Sequence, residues 1–385
     1  MSFFGDVSRW LNRQIESQAE RISYVRIPDT HIYRQGQNVQ SPAVSLKPNE
    51  HYFRLWVKEM RLQATTRWFT KFHPAVHSLT SITFANQTLD LARVAGPSEF
   101  EGVEQGNLDS SVALNFPLTS TLPFVGGDVN INLGLVSVPT KDNIGEMLEM
   151  VSDVTGILNV PQISTVVAFA GTAANSIRQF IGVADPSLQL YFKDTFTSGA
   201  GGSPLKSGYF VSLNLPEDQI DRSRLWVRDE RLVYGQSAEA GIALNDADYM
   251  LIHLEALTER DDWRQFPLID DPLSEALVAA INGESDAAKK ALRRAKVAAY
   301  MLDDLTDTDK KRVMAAMDKI VEDQINLFSG EPLADIEVTK DAVTKKARVE
   351  NALAAAMARS LGDYDYSDLK PLDQNTLLGQ LMKIQ

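Results

Sequence analysis

The chain has 385 residues, which at about 150 residues per domain predicts two or three domains. Hydrophobic residues make up 44% and charged residues 23%, which is typical of globular chains and argues against global disorder. Cysteine is absent, which excludes disulfides, thiolate metal sites and cysteine nucleophiles. The net charge of -13 argues against a surface that binds nucleic acid throughout.

The first segment, residues 1-25, has apolar side chains at three- and four-residue steps and is predicted to form an amphipathic helix. One interpretation is a membrane-surface anchor, in which aromatic rings enter the headgroup region and arginines meet anionic lipid. The other is that the apolar stripe packs on the protein's own core or on a neighbouring subunit, and the mixture of Arg and Glu on the polar face favours it. The candidate membrane- or partner-binding residues are Phe3, Phe4, Trp10, Arg9 and Arg13.

The location follows from what the sequence lacks. No stretch reaches the roughly 18 consecutive apolar residues of a membrane span. The N-terminus also lacks the basic start and apolar run of a secretory signal. We therefore expect a cytoplasmic protein.

Two regions have the short alternating runs, broken by Pro, Gly, Asn and Asp, that predict antiparallel strands. Residues 26-140 are expected to form a β-sandwich-like domain, and residues 188-265 either join that sandwich or form a second one. Between them, residues 141-187 have helical spacing and predict a buried helical hairpin. The strands are predicted at Tyr52–Leu62, Arg67–Phe72, Ser81–Phe84, Leu89–Val94, Ser111–Phe116, Val129–Val138, Leu188–Phe196, Tyr209–Leu215, Arg224–Val227, Arg231–Tyr234 and Tyr249–Leu257.

Helical spacing returns after Trp263, so residues 266-360 are expected to form a helical domain and residues 361-385 an acidic tail. Asp271 and Pro272 give the start signal of the first helix, and Thr306 to Asp309 give the cap of a later one. Further helices are predicted at about 285–303, 307–328 and 340–360. The expected fold class is α+β: antiparallel β-sandwich-like regions with an inserted helical hairpin and a helical C-terminal domain.

One internal similarity joins the two β regions. Residues 54–62 and 224–232 match at six of nine positions, with a shared Leu-Trp-Val core. The similarity indicates either a duplicated module or two strands that acquired the same residue types independently, and its shortness favours the second interpretation.

No catalytic or metal-binding pattern is complete. His73 and His77 have the four-residue spacing of a helical metal site, but Pro74 and the β context break that geometry. The glycine-rich segment 198–207 lacks the glycine before Lys206-Ser207 that a phosphate loop needs, and it is predicted to close a β-hairpin. We therefore expect no catalytic residues, no bound metal and no cofactor.

Charge is distributed unevenly. Residues 1–95 hold 12 basic and 7 acidic side chains, whereas residues 214–275 hold 6 basic and 15 acidic ones. Basic and aromatic side chains alternate in the first of these regions, which is typical either of a nucleic-acid surface or of strands with aromatics inward and charges outward, and the second interpretation is favoured. The basic-aromatic surface candidates are Arg54, Lys58, Arg61, Arg67 and Lys71, and the acidic surface candidates are Glu259, Asp261, Asp262, Asp270 and Asp271.

Three hypotheses about function follow. The leading one is a non-catalytic interaction or assembly protein that binds protein partners or itself through its β surfaces and terminal helices, guided by the charge asymmetry. The second is a peripheral membrane protein anchored by the N-terminal helix. The third is a hydrolase or metal-dependent enzyme whose site carries no recognisable motif. Nucleic acid is not expected as a partner.

Overall fold

The computed structural model describes residues 23–38, 42–62, 72–100, 110–139, 149, 163, 186–198, 203–215 and 217–329. The chain divides into two units, Met1–Phe328 and Ser329–Gln385. The described residues fall in the first unit except for Ser329, which ends its last helix. They form a mixed α+β fold with antiparallel sheets and a helical region after them, and the predicted fold class is confirmed.

Fifteen strands and three α-helices make up the described fold. In chain order the strands are β1 Ser23–Arg26, β2 Ile32–Arg34, β3 Gln37–Asn38, β4 Tyr52–Leu62, β5 Phe72–Phe84, β6 Gln87–Ala95, β7 Ser110–Pro117, β8 Leu122–Pro123, β9 Asp128–Pro139, β10 Ser187–Thr197, β11 Gly208–Leu213, β12 Leu225–Arg228, β13 Arg231–Tyr234, β14 Ile242–Ala243 and β15 Tyr249–Leu257. The helices are α1 Pro267–Ile281, α2 Ser285–Met301 and α3 Asp307–Ser329. Short 3₁₀ turns occupy Asp29–His31, Pro97–Glu99, Glu217–Gln219, Arg222–Arg224 and Asp261–Gln265.

The strands form three sheets. The first sheet has the order β1-β11-β15-β4-β7, with β8 also pairing with β4. The second sheet is β10-β9-β5-β6, and the third is β14-β13-β12-β2-β3, which contains one parallel pair, β12 with β2. Strands of both predicted β regions pair within each sheet, for example β15 with β4 and β10 with β9. The two regions are therefore interleaved in one assembly of sheets.

The main core lies between the first and second sheets. On β9, Val129, Ile131 and Leu133 alternate with polar residues and are all buried, as a strand with one face on a core requires. On β15, Ile252 and Leu254 enter the same core from the first sheet. Burying one such side chain contributes roughly 1.5–3 kcal/mol, so this face-to-face packing is the main source of stability in the β part.

A second core lies on the other side of the first sheet. Val211 and Leu251, which alternate with residues facing the main core, pack against Leu225, Val227 and Leu232 of the third sheet. The first sheet is thus covered on both faces along β11 and β15. Three sheets are therefore layered there, whereas a single sandwich has two.

Gly134 on β9 marks the tightest approach within the second sheet. It pairs with His77 of β5, and a Cβ atom at this position would lie 2.7 Å from His77 Nε2 and 2.7 Å from Leu188 Cδ1. Leu188 and the His77 Nε2 atom are both buried, so the added methyl group would displace packed atoms. We expect Gly134→Ala to lower the free energy of unfolding by about 1–3 kcal/mol. Urea denaturation measures this change, and an unaltered midpoint would show that the sheet accommodates the methyl group.

Several predicted bounds are confirmed. β4, β13 and β15 have the predicted residues, and Asp229 and Glu230 form a tight turn between β12 and β13 with positive φ angles of 49° and 65°. The repeated nine residues differ in local structure, because residues 54–62 form one uninterrupted strand and residues 224–232 fold into a hairpin. The similarity is therefore not a repeated structural unit.

Two predicted features are wrong. Segment 198–207 does not close a hairpin, because β10 and β11 belong to different sheets. Helix α1 begins at Pro267, four residues before the predicted start at Asp271, and Pro272 lies inside it. Proline is favoured at the first position of a helix, where its missing N–H would have no partner in any case. Pro272 cannot donate to the carbonyl of Leu268, which lies on the exposed side of the helix.

Some predictions lie outside the described residues. These are the helix of residues 1–22, most of the hairpin of residues 141–185, the strand Arg67–Lys71, the helix at about 340–360 and the tail of residues 361–385. Residues 23–25, predicted as the end of the first helix, belong to β1. Among the described helices, none is both long and apolar enough to cross a bilayer.

The helices form their own core. Ala288, Ala291, Ala295 and Ala299 give α2 a buried stripe of small side chains that lets α1 pack closely. On α3, buried side chains recur at four-residue steps from Val313 to Val321. The N-cap of α3 is the predicted one, since Thr306 Oγ1 accepts a hydrogen bond from the Asp309 amide at 3.3 Å.

A buried polar network joins the helices to the β part. Asp309 in the first turn of α3 accepts hydrogen bonds from the Tyr52 hydroxyl at 2.9 Å, the Arg260 amide at 2.9 Å and Arg312 Nε at 2.6 Å. The Tyr52 hydroxyl in turn accepts from the Thr306 amide at 2.9 Å. Burial raises the pKa of Tyr52, so its hydroxyl stays protonated and remains a donor. We call Tyr52, Arg260, Thr306, Asp309 and Arg312 the junction network.

Candidate interaction surface

Helix α2 is strongly basic in an acidic protein. Between Ser285 and Met301 there are five Lys or Arg side chains and one acidic residue, Asp286. Because the alanine stripe turns inward, the basic side chains lie on the opposite, outer side of the helix. They are Lys289, Lys290, Arg293, Arg294 and Lys296.

Two of these cations are neutralised by neighbouring helices. Arg294 forms an ion pair with Glu275 of α1, and Lys296 forms one with Asp318 of α3 at 2.7 Å. Within the described part of the chain, the other three have no ion pair. An exposed helix therefore presents uncompensated positive charge from Lys289, Lys290 and Arg293.

Large apolar side chains are exposed beside these charges. On α2, Val297, Tyr300 and Met301 are 56%, 64% and 71% exposed, and Leu268 of α1 is 58% exposed. Single exposed apolar residues are common, but a group on one helix face, bordered by charges, is typical of an interaction site. We call Lys289, Lys290, Arg293, Val297, Tyr300 and Met301 the α2 face.

A groove runs along each side of α2. The groove between α1 and α2 has a volume of about 670 Å³, and the one between α2 and α3 about 410 Å³. Arg293 and Val297 line both grooves, so they form the ridge between them. The α1–α2 groove has apolar walls from Leu268, Met301 and Leu302, with Lys290 on its rim.

The basic-aromatic candidates on β4 form a different kind of cluster. Trp56 lies on the face of the first sheet away from the main core, between the Arg54 guanidinium at 4.8 Å and Lys58 Nζ at 4.5 Å from its ring centre. The expectation that aromatics point inward and charges outward is therefore wrong for Trp56, which is in cation–π contact with Arg54 and Lys58, whereas Phe53 of the same strand enters the main core as expected. Arg54 pairs with Glu255 at 3.1 Å, and the buried Lys58 pairs with Glu230 at 3.1 Å.

The same sheet face holds His253. Its ring stacks on Tyr209 with ring centres 4.2 Å apart, and its Nδ1 atom is buried with no hydrogen-bond partner. Burial lowers the pKa of His253 to about 3, helped by the positive charges of Lys58, Arg34 and Arg54. These three cations share two carboxylates, Glu230 and Glu255, which neutralise most of the charge of the cluster.

Of the remaining basic and N-terminal candidates, the structure describes only Arg61. Arg61 lies half-buried on β4. Arg67 and Lys71 lie outside the described residues, and so do all five candidates of the N-terminal helix: Phe3, Phe4, Arg9, Trp10 and Arg13.

The acidic candidates are brought together around arginines. Asp262 binds Arg260 through two hydrogen bonds, of 2.8 and 2.7 Å. Glu259 and Asp261 each lie 3.6 Å from Arg312, and Asp270 lies 3.7 Å from Arg264. Asp271 is exposed. Four of the five therefore lie within 4 Å of an arginine, while Glu259, Asp261 and Asp271 remain exposed.

The histidine pair does not approach a metal-site geometry. His73 and His77 both lie on β5, where four residues span about 13 Å. Within the ranges that the structure describes, no three histidine or carboxylate side chains come together as metal ligands would.

The α2 face was missed by sequence reasoning because charge was averaged over long regions. A window over residues 285–301 alone, with five basic side chains and one acidic one, would have found it. Its exposed apolar side chains have no such signal, since helical spacing cannot tell which face a neighbouring helix will cover. Comparisons with family models, curated proteins and solved structures found no match to this chain.

Proposed function

We propose that the protein is a non-catalytic interaction protein that binds a protein partner through the α2 face. The observation that carries this proposal is the combination of three cations that have no ion pair among the described residues with exposed Val297, Tyr300 and Met301 on one helix. Covering these side chains would remove apolar area from water, which stabilises a complex by roughly 25 cal/mol per Å² buried. The sequence-based expectation of a cytoplasmic location is kept as part of this proposal.

A protein partner suits the α2 face better than an anionic membrane does. The apolar side chains border two grooves, into which protruding side chains of a protein partner can enter. The net charge of -13 also repels anionic lipid beyond the immediate surroundings of α2. The membrane and enzyme hypotheses have no comparable support among the described residues.

Site-specific photo-crosslinking in the native host tests this proposal. A photoreactive amino acid replaces Val297 on the α2 face or, as a matched control, Val278, an exposed valine of α1 that lines neither groove. We expect a single dominant adduct from position 297 and none at comparable yield from position 278. An adduct of twice the chain mass identifies a second copy of this protein as the partner.

The charge requirement is tested in the same experiment. Lys290→Glu with Arg293→Glu is expected to reduce the adduct at position 297 at least about tenfold, because the rim of the grooves changes sign. The reversal of Lys311 and Lys319, exposed on α3 away from both grooves, is the matched control and is expected to leave the yield within about twofold. Equal loss from both pairs would show that only the total charge matters.

A further inference from the structure

We infer that the partner contributes an acidic amphipathic helix, which binds in the groove between α1 and α2. This inference rests on the proposed function and specifies the chemistry of the partner. It is drawn from three properties of that groove: its shape, the nature of its walls and the charge on its rim.

The shape suits a helix. The groove lies between two helices that already pack closely through the alanine stripe of α2, and it is bordered by Leu268 of α1 and Met301 of α2. Helix α2 has 17 residues and is about 25 Å long at 1.5 Å per residue. The groove lining extends along α2 from Lys290 to Leu302, about 18 Å at that rise per residue, so a third helix of about 16 residues would cover it.

The groove walls predict the apolar side of the ligand. Val297 and Ala298 lie between the Leu268 and Met301 walls, so large side chains of the partner can enter between them. Such side chains must recur at three- and four-residue steps to share one face of a helix. The volume of about 670 Å³ holds several of them.

The rim predicts the charge of the ligand. Lys290, Arg293 and Arg294 all line this groove, and no carboxylate does. The second groove has Asp318 among its lining residues, which makes it the less favourable site for an anion. Glutamates or aspartates beside the apolar positions of the partner would therefore meet Lys290 and Arg293, which have no ion pair among the described residues.

A designed peptide tests this inference with the full chain. The probe is a fluorescent peptide of about 16 residues, with leucines at i, i+3, i+4 and i+7 and glutamates between them. The control has the same composition, shuffled so that the leucines no longer share a face. We expect fluorescence anisotropy to give a Kd on the order of 10 µM for the probe and at least about tenfold weaker binding for the shuffled peptide.

Variants of the protein locate the binding site. Lys290→Glu with Arg293→Glu is expected to weaken probe binding at least about tenfold, and reversal of Lys311 and Lys319 less than about threefold. Equal affinity for probe and shuffled peptide would overturn the inference, because charge alone would then explain binding. Failure of the probe together with binding to vesicles containing phosphatidylserine would overturn it in favour of a membrane surface.

The two proposals fail in distinguishable ways. If position 297 gives a specific adduct in the native host but the probe does not bind, the α2 face is an interaction surface for a different kind of segment, and only the inference about the helix is lost. If neither the adduct nor probe binding is observed, both proposals are wrong.

Discussion

Replacing Asp309 with alanine is expected to lower the free energy of unfolding by about 3–5 kcal/mol. This carboxylate is 1% exposed and is the shared acceptor of the Tyr52 hydroxyl, the Arg260 amide and Arg312 Nε. Alanine would leave two buried neutral donors without their acceptor and would remove the nearest carboxylate of Arg312. Because the donors belong to both the β part and the helices, the lost hydrogen bonds are those that hold the helices against the β part.

Asp307 provides the matched control for this substitution. It lies two residues earlier in the same helical turn, is 71% exposed, and makes only a 3.6 Å ion pair with Lys310. Asp307→Ala is expected to change stability by less than about 0.5 kcal/mol. Urea denaturation of both variants measures the difference, and equal effects would contradict the assigned role of the junction network.

Stability is expected to fall as the pH drops below about 6.5, because His77 and His253 resist protonation in the folded protein. Burial lowers the pKa of His77 to about 4 and that of His253 to about 3. The unfolded chain binds protons on both rings near pH 6.5, whereas the folded protein does not. Stability is thus fully present above pH 6.5 and is lost between that pH and the folded pKa values.

The expected size of this effect is about 2 kcal/mol per histidine at pH 5, or about 4 kcal/mol in total. At pH 5 both histidines are still neutral in the folded protein, because their folded pKa values lie below 5. The loss of stability therefore depends mainly on the histidine pKa in the unfolded chain. Three carboxyl groups act in the opposite direction, since burial raises the pKa of Asp90, Asp194 and Asp270 and acid then favours the folded state. The histidine contribution must therefore be isolated by substitution.

His253→Phe isolates one of the two histidines. The aromatic ring keeps the stack on Tyr209, while the titrating nitrogen atoms are removed. We expect the slope of unfolding free energy against pH, measured by urea denaturation between pH 6 and 5, to decrease by about 1.4 kcal/mol per pH unit. An unchanged slope would contradict the burial of a neutral His253.

Local structure was predictable where a segment's own pattern determined it. β4 and β15 have the predicted bounds because both are apolar or alternating runs that follow turn residues. The cap at Thr306 was also correct, since the capping hydrogen bond joins residues three positions apart. Each of these features depends on residues close together in the chain.

Features that depend on distant residues were not predictable in the same way. The pairing of β15 with β4 joins segments almost 200 residues apart, and alternation alone does not select a partner strand. The ion pairs of Glu259 and Asp261 were not predicted, because their partner Arg312 lies about 50 residues further along the chain. Trp56 was assigned to the core, although its neighbours Arg54 and Lys58 hold it on the opposite face.

The α2 face is another feature that depends on residues far apart in the chain. Its basic side chains were present in the sequence, but only the packing of α1 and α3 shows that Val297, Tyr300 and Met301 remain uncovered among the described residues. Exposure is a property of the assembled helices and cannot be assigned to one helix alone. This is why the candidate site emerged from the structure.

The ratio of adduct yields at positions 297 and 278 tests the central claim most directly. Both residues are exposed valines on neighbouring helices, so the ratio cancels differences in expression and reactivity. Binding through the α2 face predicts a ratio of at least about ten, lost when Lys290 and Arg293 are reversed. A ratio near one in the native host would contradict the assignment of this face as an interaction surface.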